Sequence, residues 1–181
     1  MTCVVGMFKD HKVYLGADSA SISGWDSFDR LDGKIFQKGE LLIAFTSSFR
    51  MGQLIRYKFN PPECPKKMDD HEYMCTLFVD ELRKTLSNGG FAKKENGVES
   101  AGSFLIAYHS KLFQIDDDYQ VIRVDSFTAD GCGRMPALGA MFAASELGLE
   151  PREILEMGLR AAVKYNIGVK QPFTIFCDCE D

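Results

Sequence analysis

The first 46 residues alternate short apolar runs with turn residues. Val4-Val5-Gly6 is followed by the polar stretch Lys9-Asp10-His11-Lys12 and then by Val13-Tyr14-Leu15-Gly16-Ala17. This predicts two strands, 2–8 and 12–18, joined by a hairpin. Two more extended segments follow at 34–37 and 41–46. The period then lengthens, and a helix is expected over 48–58, ending ahead of Asn60-Pro61-Pro62 because a residue before proline avoids the helical region. Residues 61–67 read as a loop. Asp69 and Asp70 offer N-cap carboxylates to a helix over 68–88, in which Tyr73, Leu77, Phe78, Leu82 and Leu86 recur at helical spacing until Gly89-Gly90. The polar segment Ala92–Gly97 reads as a loop, leading to antiparallel strands at 103–109, 112–116 and 119–124. Helices at 134–147 and 151–165 are separated by Gly148, with Pro151 at the tolerated first helical position. A strand at 173–177 comes last. Pattern alone gives an α+β fold.

Composition narrows the class. The 181 residues suit one domain, 1–181, and 45% hydrophobic residues suffice for a substantial core. A net charge of −5 with no Lys/Arg stripe argues against a nucleic-acid surface, and no apolar run reaches the length of a membrane span. Six Cys occur without a charged segment leading into an apolar leader, so reduced thiols and a cytoplasmic location are expected.

The candidate chemistry begins at Thr2. Removal of Met1 from this small-residue context would give one residue both a hydroxyl nucleophile and a free α-amino group, whose ordinary pKa of about 7.7–8.0 suits it as a base near neutrality. The hairpin folds Asp18 back towards Thr2. Lys34 lies sixteen residues beyond Asp18 at the start of another strand, so Thr2, Asp18 and Lys34 are evenly spaced.

Through Thr2-Cys3-Val4-Val5-Gly6, Gly16-Ala17-Asp18-Ser19 and Lys34, the chain resembles the proteasome β-subunit superfamily, especially its HslV-type and phage-type members. Asp130-Gly131-Cys132-Gly133 is similar to the family's Gly-Ser-Gly segment, and Glu150-Pro151-Arg152-Glu153-Ile154 to the start of its next helix. The resemblance covers nearly the whole chain, although residues 52–100 match only in helical character. It implies a four-layer αββα sandwich, two antiparallel sheets between two helix pairs, of the N-terminal-nucleophile (Ntn) hydrolase kind. It also implies a threonine peptidase acting on peptides or unfolded polypeptides without metal or cofactor, in a homo-oligomeric ring that can work with an ATP-dependent unfoldase. In that reading Thr2 is nucleophile and base, Lys34 favours the deprotonated hydroxyl, and Asp18 holds Lys34.

Several positions depart from the family pattern. The expected Gly region reads Ile43-Ala44-Phe45-Thr46-Ser47-Ser48, so an oxyanion donor is expected from the N–H of Ala44 or Phe45. Cys132, between Gly131 and Gly133, replaces a serine, and its thiol is a weaker donor in support of the Thr2 amine. The Asp and Ser that many proteasome sites carry after the last long helix are absent from Tyr165–Lys170.

Other readings remain open on the sequence. Asp18 and Lys34 also suit a partly exposed ion pair at a strand end. A non-catalytic ring or scaffold subunit keeps the same fold, and a small-molecule amidase of the Ntn class uses the same nucleophile. Cys177 and Cys179 share one face of a strand, but no other ligand pair has zinc spacing, so terminal packing is expected there. His11, His71 and His109 read as solvated. Finally, the helices at 48–58 and 68–88 carry apolar residues beyond one narrow stripe, and this excess predicts a subunit contact.

Overall fold

The computed structural model describes residues 1–28 and 30–179. The chain opens with β1 (Cys3–Lys9) and β2 (Lys12–Ala17), joined by a two-residue turn in which Asp10 and His11 both take positive φ. That is the turn whose twist matches a hairpin. A small hairpin, β3 (Ser21–Ser23) and β4 (Asp26–Phe28), precedes β5 (Ile35–Lys38) and β6 (Leu41–Phe45). Ser48 caps α1 (Phe49–Tyr57) by accepting from the Arg50 N–H at 3.1 Å. The helix expected over 68–88 is observed as α2 (Asp70–Tyr73), a π-helical turn (Met74–Phe78) and α3 (Val79–Asn88).

The Ala92–Gly97 loop is instead part of a hairpin, β7 (Lys93–Glu95) with β8 (Val98–Ser100), turning at Asn96-Gly97. Its strands are charged and largely exposed, so they carry no apolar alternation to read. After β9 (Phe104–Tyr108), β10 (Lys111–Ile115) and β11 (Val121–Val124) comes β12 (Phe127–Gly131), which the apolar pattern did not signal. Then follow α4 (Arg134–Glu146), α5 (Pro151–Tyr165) and β13 (Thr174–Cys177). A reciprocal capping box between Glu150 and Glu153 fixes the start of α5.

Two antiparallel sheets form, ordered β12-β1-β2-β13 and β11-β10-β9-β6-β5. Val4 and Val5 both lie at 0% exposure because β1 is covered on both faces. Val4 joins Leu15, Ala17, Ala44 and Leu105 between the sheets, while Val5 joins Met141, Leu155 and Leu159 from α4 and α5. A third apolar cluster packs Met51, Ile55, Phe78 and Leu82 of the first helices on Ile43, Phe104 and Phe113.

The excess apolar surface expected on α1 to α3 is consumed here. Met51, Leu54, Ile55, Tyr73, Met74, Phe78, Val79 and Leu82 are buried within the chain, leaving Tyr57 and Leu77 exposed. Met74 and Phe78 are the buried residues of the π turn. None of the described helices is long and apolar enough to cross a membrane.

Candidate active site

Thr2 directly precedes β1, and Asp18 directly follows β2. The hairpin therefore brings them side by side, with the Asp18 N–H bonded to the Cys3 carbonyl at 3.1 Å. Lys34 arrives from the other sheet, immediately before β5. The three meet at one atom: Asp18 Oδ1 accepts from Thr2 Oγ1 at 2.7 Å and from Lys34 Nζ at 2.6 Å. It also accepts from the Cys3 N–H at 2.9 Å, and Asp18 Oδ2 accepts from the N–H groups of Ala20 at 2.8 Å and Lys170 at 3.1 Å.

This pair is not partly exposed. Thr2, Asp18 and Lys34 are 4%, 3% and 5% exposed. A buried ion pair survives only when its remaining valences are hydrogen-bonded, and Asp18 has five donors around it. Burial lowers the Lys34 ammonium below the ordinary lysine value, with Asp18 opposing the shift. Burial, with the nearby Asp18 charge, pushes the Cys3 thiol up to about 12. Cys3 therefore stays protonated near neutrality and is no rival nucleophile.

Thr2 and Lys34 open onto a cleft of about 220 Å³ whose other walls include Met1, Ile22 and residues 45–49. The oxyanion assignment to Ala44 and Phe45 needs correction. The Phe45 N–H donates to the Lys34 carbonyl at 3.0 Å, and Ala44 is fully buried, paired with Ile35 and Leu105. Both N–H groups belong to the sheet. One residue further on, the Thr46 N–H is bonded to Ser103. Ser47 is the exposed residue of that turn, it has φ 61°, and among the described residues its N–H makes no hydrogen bond. The positive φ explains why a glycine was expected in this region.

Behind Thr2, Cys132 occupies the expected place. Its Sγ lies 3.3 Å from Thr2 N and donates to the Thr2 carbonyl at 3.2 Å, while the Gly133 N–H reaches the same carbonyl at 3.3 Å. Gly131, with φ 90°, packs so closely that a Cβ there would sit 2.4 Å from the Thr2 oxygen. Sequence reading missed Asn166. Its Nδ2 donates to the Cys132 carbonyl at 2.7 Å, and its Oδ1 accepts from the Gly168 N–H at 2.8 Å and lies 3.3 Å from Cys132 Sγ. The signal was a polar residue directly after the last long helix.

Away from the site, Cys177 and Cys179 are joined by a disulfide, against the expectation of reduced thiols. Cys177 ends β13 and the chain turns at Asp178, so the two Cα atoms come within 5.2 Å, inside disulfide range. His109 is not simply solvated either, since its Nδ1 lies 3.0 Å from Asp70 Oδ1.

No family model and no curated protein matches the chain. Solved structures do. BPH from Thiobacillus denitrificans superposes with a TM-score of 0.85 at 23% identity, over 97% of each chain. The same protein in complex with epoxomicin gives 0.82 and 22%. HslV from Trypanosoma brucei gives 0.68 at 16% identity, covering 97% of this chain and 98% of its own. Anbu, an ancestral β-subunit from Yersinia bercovieri, gives 0.67 at 14%, over 97% and 81%. The chain thus shares the fold of BPH, HslV and the ancestral β-subunit Anbu, the fold that the motifs at Thr2, Asp18 and Lys34 implied.

Proposed function

We propose that this chain is a threonine-type peptidase that hydrolyses amide bonds with Thr2 once Met1 is removed. The observation that carries the reading is the buried meeting of Thr2 Oγ1 and Lys34 Nζ on one Asp18 oxygen at the mouth of a cleft. Met1 is 55% exposed and lines that cleft, so its removal both frees the Thr2 nitrogen and opens the space beside it. The Thr2 hydroxyl then attacks the substrate carbonyl. The Thr2 amine takes its proton and returns it to the leaving amine as the C–N bond breaks, and a water deprotonated by the same amine then cleaves the Thr2 ester, releasing the acid and restoring the hydroxyl. Asp18 fixes the hydroxyl, and Lys34 supplies positive charge to the developing alkoxide. The free N–H of Ser47 is the candidate oxyanion donor, and Cys132 with Asn166 supports the amine.

The three apolar clusters are read as the seams of an αββα sandwich forming one domain, 1–181. The substrate is a peptide or unfolded polypeptide, the protein is cytoplasmic, and the assembly is a homo-oligomer that can serve an ATP-dependent unfoldase. No cofactor or metal is assigned a role.

The test is hydrolysis of fluorogenic peptides by protein whose intact mass shows Met1 removed. Thr2→Ala should abolish turnover while leaving the thermal transition in place, and Thr2→Ser should retain part of it. Epoxomicin, bound by a neighbour of the same fold, should add its mass at Thr2. Turnover unaffected by Thr2→Ala, or labelling at Cys132 instead, defeats the assignment.

A further inference from the structure

A second carboxylate is buried beside the cleft, and the mechanism above does not use it. Asp130 lies on β12 opposite Val4, one residue before the Gly131-Cys132-Gly133 segment that holds Thr2, and it is 7% exposed. Its partners come from the other sheet. Ser103, just before β9, donates through Oγ to Asp130 Oδ2, and Thr46, just after β6, places Oγ1 at 3.1 Å from the same oxygen.

These bonds continue into the turn at Ser47. Thr46 Oγ1 lies 3.1 Å from Ser47 Oγ, and Ser47 Oγ accepts from the Ser103 N–H at 3.3 Å. Gly102 closes the back of the turn, since a Cβ there would stand 2.6 Å from Ser47 Cβ. Hydroxyls carry one proton each, and a carboxylate only accepts. With Ser103 giving its proton to Asp130, the Thr46 proton left facing Asp130 Oδ2 and the Ser103 carbonyl, and Thr46 Oγ1 free to accept from Ser47, the chain of donors runs from Ser47 through Thr46 to Asp130. A non-glycine residue at φ 61° is held only where its surroundings fix it, and this network does so.

We infer that Asp130 is a positioning residue. Through Thr46 and Ser103 it locks the Ser47 turn of one sheet to the strand of the other sheet that carries the Thr2 support, setting the oxyanion donor relative to the nucleophile. The inference rests on the peptidase reading proposed above. A misplacement of about 1 Å between such groups costs roughly a hundredfold in rate.

The experiment uses the Met1-processed protein, its active sites counted by epoxomicin labelling. Asp130→Asn and the isosteric Thr46→Val should lower kcat per active site by about ten- to a hundredfold with KM within about threefold. The inhibition constant of a peptide aldehyde, which forms a tetrahedral adduct, should weaken by the factor lost in kcat/KM. An uncleaved peptide of the same sequence should bind as before. Ser103→Thr keeps the hydroxyl and should keep the activity. If Asp130→Asn does not fold, Thr46→Val carries the test.

Unchanged kcat and aldehyde affinity in the variants, with an active wild type, overturn the inference alone. So does a loss confined to the number of labelled sites, which marks a purely structural role. A processed wild type that neither turns over peptide nor binds the aldehyde overturns the peptidase reading and this inference together.

Discussion

Lys34 is the residue whose removal should cost most. With its side chain 4% exposed, its ammonium compensates an Asp18 side chain that has no exposure. Lys34→Met leaves that carboxylate buried with neutral donors only, and should destabilise the fold by about 3–5 kcal/mol in urea unfolding. A Lys34 truncation is therefore a poor test of catalysis, since lost folding and lost chemistry coincide. The lysine also gives a pH signature. Its proton is held less tightly folded than unfolded, so the unfolded chain binds more protons between the lowered value and the ordinary 10.5. Across that window the Lys34 contribution to stability rises with pH. The difference in urea midpoint between wild type and Lys34→Met should accordingly widen as pH rises towards 10.5, and a constant or narrowing difference contradicts the burial argument.

Among the elements, β12 matters most to the site and was least visible. Phe127-Thr128-Ala129-Asp130-Gly131 carries little apolar alternation, yet it pairs with β1 along its length and ends at Thr2. Gly131 is the contact point. Gly131→Ala demands φ 90° of an alanine and puts a methyl against the Thr2 carbonyl, so it should destabilise by about 1–3 kcal/mol and reduce peptide turnover together. In α1, Gly52 supports the Phe45 ring, whose nearest atom would lie 2.3 Å from an added Cβ. Gly52→Ala improves helix propensity by about 1 kcal/mol. The ring is hemmed by Phe36 and Phe49, so overpacking should outweigh that gain and lower the urea midpoint. A raised midpoint would show that the ring has room to move.

For the molecule as a whole, most of the apolar surface of α1 to α3 is buried inside the chain, so exposed apolar residues elsewhere are added candidates for the expected subunit contact. Met135 and Phe142 on α4, Leu147 at its C-cap, Tyr165 at the end of α5 and Ile167 beyond it are each at least 59% exposed. A homo-oligomer is expected to bury part of this exposed apolar set, with roughly 1,000 Å² or more covered in total. Light scattering should show a species larger than one chain, and Met135→Glu with Phe142→Glu should reduce it to a monomer. A wild type that is monomeric at micromolar concentration removes the oligomer from the reading.

Local pattern determined much of this protein. Period-two and helical runs located β1, β2, β5, β6, α1, α4 and α5 within a residue or two, because each buries apolar side chains at a spacing set by its own backbone. The even spacing of Thr2, Asp18 and Lys34 was legible for the same reason, since a hairpin and a following strand return the chain to one point. What lay beyond reach depends on contacts between distant segments. No local rule shows that the Phe45 N–H is taken by the Lys34 carbonyl while the Ser47 N–H is left without a partner among the described residues, or that Asn166 folds onto Cys132. Asp130 read only as a neighbour of Gly131 until two sheets closed Thr46 and Ser103 around it. A hydrogen bond is assigned by which groups arrive together and lose their water. Burial of that kind is a property of the packed sheets, and only the tertiary structure decided it.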